Sequence, residues 1–388
     1  MEEKAVTVHW EALKGFCKRV FLRLGVPPEE ADVTAEVLVE ADLRGIDSHG
    51  VARLRRYVRG LQVGQMVPRP KVTVVHETAT TALLDGGGGL GPPIGRKGMQ
   101  MAIEKAKETG VGFVAVRNSN HYGIAGYYAM MALEHELIGI SMTNADTLVV
   151  PTFGRKAILG TNPISVAVPA GRERPFVLDM ATSAVPRGKI EVYHRSGKDL
   201  PLGWATDERG LPTTDADRVL KNLAERAGGG LLPLGGAGEL MGGHKGYGLA
   251  LLVDILCGAL PGAGYADTIY PKGPDGRPLP ANVGHFFGAL RIDGFRPIEE
   301  FKATMDDLLR RLKDSPKAEG QQRIWVHGEK EFEMAEERRR RGIPLHPKVA
   351  SELRAIAEEL EVEYDLEGIK GPAVPPPSPP AGDPPPPR

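Results

Sequence analysis

Three histidines, a few cationic side chains and a run of asparagines stand where they could act on a small anion. His49 follows Ser48 in the segment Asp47-Ser-His-Gly50, and Arg53 and Tyr57 follow at intervals of four. If a helix begins with Ser48 as its N-cap, His49, Arg53 and Tyr57 form one stripe. That stripe is turned away from the apolar positions Val51, Leu54, Val58 and Leu61. An imidazole at its head can exchange a proton near neutral pH. One turn on, a guanidinium can grip a carboxylate through two parallel hydrogen bonds. Together they suit a small carboxylic acid that also exchanges a proton. The plainer alternative is a solvated helix face carrying an ordinary surface histidine.

A second cluster, Arg117-Asn-Ser-Asn-His-Tyr-Gly-Ile-Ala125, follows a strand-like run and places His121, Tyr122 and Gly123 on a strand-exit loop, where ligands commonly bind. Of the six asparagines in the chain, four (Asn118, Asn120, Asn144 and Asn162) fall in successive exit loops. Amide hydrogen bonding and tolerance of left-handed backbone are competing reasons for that bias. A third cluster joins Gly160-Thr161-Asn162-Pro163 to Val177-Leu-Asp179-Met180-Ala181-Thr-Ser183 and to Lys189. Here hydroxyls and helix-start amides could hold a ribose or a phosphate. The glycine-dense helix start Gly242–Gly248, with His244 and Lys245, also suits a phosphate. His49, His121 and His244 could in principle converge on a metal. None has a His, Cys or carboxylate at helical ligand spacing, so no metal site is assigned.

One further motif invites a nucleotide. Gly86, Gly88 and Gly91 satisfy G-x-G-x-x-G between a strand and a helix. However, Arg117 stands where an acidic residue is expected, and Pro92 and Pro93 remove two backbone donors. We therefore expect this loop to be a connection without a ligand.

The elements that must position these residues change in texture along the chain. Up to about residue 65 the pattern is helical, with Trp10–Leu24, a helix from Pro27 and Pro28 to Arg44, and a third from Ser48. From Lys71, short β-rich runs recur at Val72–Val75, Thr80–Leu84, Val111–Val116, Ile138–Met142, Ile164–Val168 and Pro175–Leu178. Helices at Pro93–Thr109 and Ile124–Glu134 interrupt them. With so few strand–helix alternations, a mixed sheet is expected over a doubly wound one. Helices return at Gly243–Leu260, Pro297–Lys313, Glu329–Arg341 and Pro347–Leu360, with strand-like pieces at His285–Ile292 and Arg323–Val326. The expected fold is α+β and non-Rossmann. A β-rich cofactor domain (75–242) is inserted into a helical domain built from both chain ends (1–74 and 243–366). The segment 367–388 is a Pro-rich tail: ten prolines fall in the last eighteen residues, too many for a core, and a disordered or polyproline II segment is expected.

Bulk properties narrow the partners. The formal net charge is −1 and the one basic run, Arg338–Arg341, lies in a Glu-rich helix, so nucleic acid is not expected. The longest apolar run, Leu249–Leu260, is interrupted by Asp254 and reads as a buried helix, so no membrane partner is expected. Cys17 and Cys257 are isolated, and no apolar leader opens the sequence. Both features point to the cytoplasm.

Taken together, the motifs resemble those of the malate/L-lactate dehydrogenase family. That family is distinct from the Rossmann-fold lactate and malate dehydrogenases and includes ureidoglycolate, sulfolactate and diketogulonate oxidoreductases. The resemblance rests on Asp47–Val51, Asn118–Gly123, Gly160–Pro163, Asp179–Ser183, Arg187–Lys189, Leu202–Asp207, Pro212–Asp215, Pro233–Gly236, His244–Gly248 and Gly342–Leu345, in order and with similar spacing. It implies hydride exchange between NAD or NADP, with NAD favoured, and a small 2-hydroxy or 2-oxo acid such as malate or L-lactate. It also implies a homodimer with its active site near the subunit boundary. By resemblance His49, supported by Ser48, would exchange the proton, with His121 the rival. Arg53 would hold the substrate carboxylate beside Tyr57, and Lys189 would favour oxo-acid chemistry. Cofactor contacts would come from His121, Tyr122, Gly123, Thr161, Asn162, Pro163, Val177, Asp179, Met180, Ala181, His244, Lys245, Glu329 and Lys330. Two other readings stay open: a metal-dependent hydrolase or lyase using His49, His121 and His244, and a binding module acting through the Pro-rich tail.

Overall fold

The fold begins and ends in the same helical layer. In this computed structural model, which describes residues 6–366 and Gly368, strand β1 (Val6–Val8) pairs antiparallel with β11 (Ile343–Leu345). Helices α1 (Trp10–Arg23), α2 (Pro28–Leu43) and α3 (Leu54–Gln62) pack with α10 (Glu329–Arg341) and α11 (Pro347–Leu360). Pro28 and Pro347 stand at the first turns of their helices, where a missing N–H costs nothing. Leu13, Phe16, Phe21, Leu38, Leu54, Tyr57, Leu353 and Ile356 close one core between the two ends of the chain. The Pro-rich tail inferred for 367–388 lies, apart from Gly368, outside the described residues.

Against this layer stands a seven-stranded sheet in the order β2 (Thr73–Glu77), β3 (Thr81–Asp85), β4 (Val111–Ser119), β10 (Val283–Arg291), β5 (Leu137–Thr143), β6 (Ile164–Val168) and β7 (Phe176–Met180). Among the described residues only β3 and β4 run parallel, joined by the crossover helix α4 (Gly91–Thr109); every other neighbouring pair is antiparallel. The sheet is thus mixed, as expected, and unlike a doubly wound dinucleotide fold. Helix α4 and the short α5 (Ala125–Met131) cover one face, burying Ile94, Met99, Val114, Val116, Tyr128 and Phe287. The centre of the sheet, β10, comes from beyond residue 243, within the stretch read as the second helical part.

A smaller unit carries α6 (Arg187–Arg195), α7 (Ala216–Glu225) and the short pair β8 (Ala205–Thr206) and β9 (Gly230–Leu231), around Val149, Leu159, Ile190, Leu200, Val219 and Leu231. Its two helices are absent from the periodicity reading. The remaining helices are α8 (Gly243–Asp254), which passes into a π turn at Ile255–Ala259, and α9 (Ile298–Asp314).

Two local expectations need correcting. Ser48 is not an N-cap: the chain makes two 3₁₀ turns, Asp47–His49 and Val51–Arg53, before α3 begins at Leu54. The backbone at Gly50, with ψ −148°, breaks the helix between them. Arg323–Val326 is not a strand. It is irregular, and the Val326 N–H is taken by the Glu329 carboxylate at 3.1 Å.

Candidate active site

The turn carrying His49 is fastened from two sides. Beneath it the Asp42 carboxylate of α2 accepts the Val51 N–H at 2.8 Å. It presses so closely on Gly50 that a Cβ there would lie 1.9 Å from Asp42 Oδ1, so only glycine fits. Burial raises the Asp42 carboxyl well above the ordinary carboxylate range, against the pull of the Val51 N–H. From α10, Arg338, only 1% exposed, donates to the Asp47 carboxylate and to the Asp42 carbonyl. Ser48 Oγ then lies 2.9 Å from His49 Nδ1.

His121 is seated by the glycine loop. Asn118 takes a left-handed conformation (φ +50°) at the end of β4. The Asn120 side chain donates to the Gly88 and Gly89 carbonyls at 3.0 and 2.9 Å. The Gly86 and Gly88 N–H groups donate back to Arg117 and Asn118 at 2.9 and 2.7 Å. A Cβ on Gly91 would meet the His121 carbonyl at 2.3 Å. The backbone groups that a pyrophosphate would need are committed to holding the 117–121 segment. The loop is therefore a seat for His121, a role that its spacing, prolines and missing acidic residue did not indicate.

The two turns meet ring to ring. The imidazoles of His49 and His121 stack with centroids 5.7 Å apart and planes 19° apart. Tyr57, buried edge-on against Phe21, sets its hydroxyl 2.8 Å from His121 Nδ1. The Gly123 N–H also points at that nitrogen, at 3.3 Å. A backbone N–H can only donate, so His121 Nδ1 is an acceptor and the neutral ring carries its proton on Nε2. Burial, reinforced by the Arg53 and Arg56 charges, lowers His49 to about 4. Burial, with Arg56, His49 and Arg53 as neighbours, holds His121 well below its ordinary value. Both rings are neutral at neutral pH. Arg53 donates from Nε to the Ser48 carbonyl at 2.6 Å, which ties it to the turn that carries His49. The arrangement offers a neutral imidazole able to accept a proton, a second presenting an N–H, and guanidinium groups able to bind an anion.

A cavity of 240 Å³ opens between the start of α5, strand β7 and the turn before α10. Its lining includes Ile124, Gly126, Val177, Asp179, Trp325 and Lys330. It provides apolar walls for a flat ring and a carboxylate to accept from hydroxyls. Asp179, exposed near the end of β7, accepts the Gly126 N–H at 2.7 Å. Ile124 of the cavity lining lies on the same short loop as His121.

Other residues singled out in the sequence lie elsewhere. Lys189 is exposed on α6, its ammonium 5.7 Å above the Trp204 ring. His244 and Lys245 are exposed at the start of α8. Asn162 is buried with φ +35°, accepts the Ala145 N–H at 3.1 Å and donates to the Ala250 carbonyl at 2.9 Å. Thr161 gives its carbonyl to the Thr182 N–H, and Pro163 leads into β6. Tyr122 is buried, stacked on His285, while Met180 and Ala181 close β7 beyond Asp179. Glu329 is buried and bracketed by Lys313 and Arg323 at 3.2 and 3.1 Å, whereas Lys330 reaches the cavity. Although His49 and His121 stack, no group of three or more His, Cys, Asp or Glu able to hold a metal occurs among the described residues. Asp42, Arg56 and Arg338 went unread as site residues. Arg56 had a signal, one helical turn beyond Arg53; the other two join the site only through tertiary packing.

Residues 8–354 match the family model described as malate/L-lactate dehydrogenase. The chain belongs to the malate/L-lactate dehydrogenase family. It is 50% identical over 363 residues to the malate dehydrogenase of Pyrococcus horikoshii, covering 94% of this chain and 98% of that protein. It is 40% identical over 346 residues to the L-sulfolactate dehydrogenase of Methanocaldococcus jannaschii, covering 89% and 95%. The crystal structure of malate dehydrogenase from Entamoeba histolytica superposes with a TM-score of 0.87 at 38% identity, covering 93% of this chain and 100% of that one. The chain is thus a 2-hydroxy acid dehydrogenase, an oxidoreductase that uses a nicotinamide cofactor. The hydrolase or lyase reading has no support.

Proposed function

We propose that this enzyme interconverts malate and oxaloacetate with NAD, using His49 as the proton acceptor and donor. The observation that carries this reading is the pair of neutral imidazoles facing each other beside Arg53. With His49 Nδ1–H donating to Ser48 Oγ, its Nε2 lone pair is free to take the hydroxyl proton. His121, fixed as an Nε2–H donor by Tyr57 and Gly123, orients the same oxygen and cannot accept there. Arg53 holds the C1 carboxylate, and the bound anion offsets the charge repulsion that keeps His49 deprotonated, so the ring can also return the proton during reduction. The nicotinamide supplies the hydride acceptor. Relatives named for malate and sulfolactate support the substrate.

The cavity beside Asp179 suits one nucleoside end of the cofactor. Its carboxylate accepts from ribose hydroxyls and repels a 2′-phosphate. Of the nearby cations, Arg44 is paired with Glu40 at 3.0 Å and Lys330 lies over Trp325, which favours NAD over NADP. A homodimer fits the exposed apolar residues Leu240, Met241, Leu251, Leu252 and Ile255 around α8. Cys17 and Cys257, buried and unpaired, fit the cytoplasm. No helix among the described residues is long and apolar enough to cross a membrane.

The test is a matrix of oxaloacetate, pyruvate, sulfopyruvate and ureidoglycolate's oxo form against NADH and NADPH. Consumption of NADH with oxaloacetate is expected to be fastest. No turnover of any 2-oxo acid, or NADPH preferred by more than tenfold, would overturn the reading.

A further inference from the structure

One turn along the chain from Arg53, α3 carries a second guanidinium, Arg56. Arg56 lowers the His121 ring more than Arg53 does. It donates to Tyr270 Oη at 2.7 Å, with its carbon 5.7 Å from the Tyr270 ring centroid. Neither Arg53 nor Arg56 forms an ion pair with any described residue. Two mutually repelling guanidinium groups beside two neutral imidazoles leave an uncompensated positive field, a costly arrangement in a partly buried site unless an anion completes it.

Past Arg56 the structure opens into a cavity of 480 Å³ lined by Gln65, Asp146, Arg226, Tyr270 and Lys272 as well as Arg56 itself. Asp146 approaches Arg226 at 3.6 Å, and Lys272 has no ion pair among the described residues. Three cations therefore face a single carboxylate. The positive surplus that begins at Arg53 and Arg56 therefore continues into this cavity, which Arg56 itself lines. Arg53 and Arg56 on successive turns provide one guanidinium for each end of a dianion.

We infer that Arg56, Tyr270 and the basic cavity behind them form a subsite for a second anionic group, selecting 2-hydroxy acids that carry a distal carboxylate or sulfonate over monoanionic ones. This rests on the His49/Arg53 site acting on 2-hydroxy acids as proposed. The cavity far exceeds one carboxylate, so the distal group can be enlarged to a sulfonate, or carried one methylene further out, without a clash.

Steady-state reduction of oxaloacetate, 2-oxoglutarate, sulfopyruvate and pyruvate at saturating NADH tests this. The intact enzyme is expected to prefer oxaloacetate to pyruvate in kcat/KM by about 10²-fold or more. Arg56→Gln should lower kcat/KM for oxaloacetate about 10²-fold further than for pyruvate, mainly through KM, and Arg56→Lys should restore part of the difference. Lys272→Gln, at the exposed rim, tests the cavity without threatening the fold. It should raise KM for 2-oxoglutarate and sulfopyruvate severalfold more than for pyruvate. Sulfopyruvate matching oxaloacetate makes the subsite one for either anion; oxaloacetate alone restricts it to carboxylate. Equal losses for dianions and pyruvate in both variants would overturn the subsite. An intact enzyme that reduces no 2-oxo acid would instead overturn the dehydrogenase assignment of the site.

Discussion

In the oxidation direction the substrate proton must pass to a ring nitrogen with a free lone pair, and the two histidines differ in this respect. Two donors converge on His121 Nδ1, leaving a proton on Nε2, whereas the partner of His49 is a hydroxyl that can accept. His49→Ala should therefore lower kcat by about 10²-fold or more. Tyr57→Phe, which removes one of two donors to His121, should lower it about tenfold or less. The reverse order would move the proton to His121. The ionisation has a signature as well. Protonation destroys the acceptor, so kcat/KM for oxidation should stay level through pH 6.5 and fall only as pH drops through about 4. Stability falls in an earlier window, as pH drops from about 6.5 towards 4, because the unfolded ring binds its proton near 6.5 and the folded ring only near 4. A limb at 6.5 would show that His49 is not the acceptor. These residues were legible in the sequence, but the reason for their meeting was not. The helical stripe that joined His49 to Arg53 and Tyr57 is interrupted at Gly50, and the three converge through packing across α2, α3 and β4.

Among the elements, α10 does what its sequence conceals. Its Arg338–Arg341 run reads as a solvated face, yet Arg338 is buried and holds the His49 turn. A four-arginine run has no internal mark of which member points inward; only the position of Asp47 decides it. Helix α6 was missed because Ile190 is its one fully buried residue, whereas α7 did carry a signal that went unread: Ala216, Val219, Leu220 and Leu223 at helical spacing behind the Asp215 cap. The sheet and the longer helices were legible because strand runs bounded by glycine, and helices opened by proline, carry their own punctuation. Arg338→Met should leave Asp47 and the buried Asp42 carbonyl without their donor. We expect a loss of about 1–3 kcal/mol in unfolding free energy, set mainly by the buried carbonyl, since the Asp47 carboxylate is half exposed. We also expect a fall in kcat larger than any change in NADH affinity, measured by thermal denaturation, turnover and NADH fluorescence. A variant with unaltered kcat would show that the His49 turn holds itself.

At the scale of the molecule, the site depends on the chain closing on itself. Helix α3 carries Arg53's neighbours Arg56 and Tyr57, and it lies between α1 and α11, elements from opposite ends of the sequence. Strand β11 pairs with β1, and Leu353, Ile356, Ala357, Leu360 and Leu366 complete the core that buries Tyr57. None of these C-terminal residues touches the imidazoles. Texture alone indicated that the two ends meet, because the same helical pattern stops at residue 65 and returns near 243. That β10 crosses to the centre of the sheet was not legible, since a lone strand run does not declare its partners. Ending the chain at Gly342 removes β11 and α11 and uncovers α3. The truncated chain should lose both its cooperative thermal transition and its activity, although every residue assigned to the chemistry is retained. Ending it at Gly371 removes only the last proline-rich residues and should leave kcat and the thermal midpoint unchanged. Loss of activity in the chain ending at Gly371 would restore a role for the tail. A folded, active chain ending at Gly342 would show that α3 is positioned without closure of the two ends.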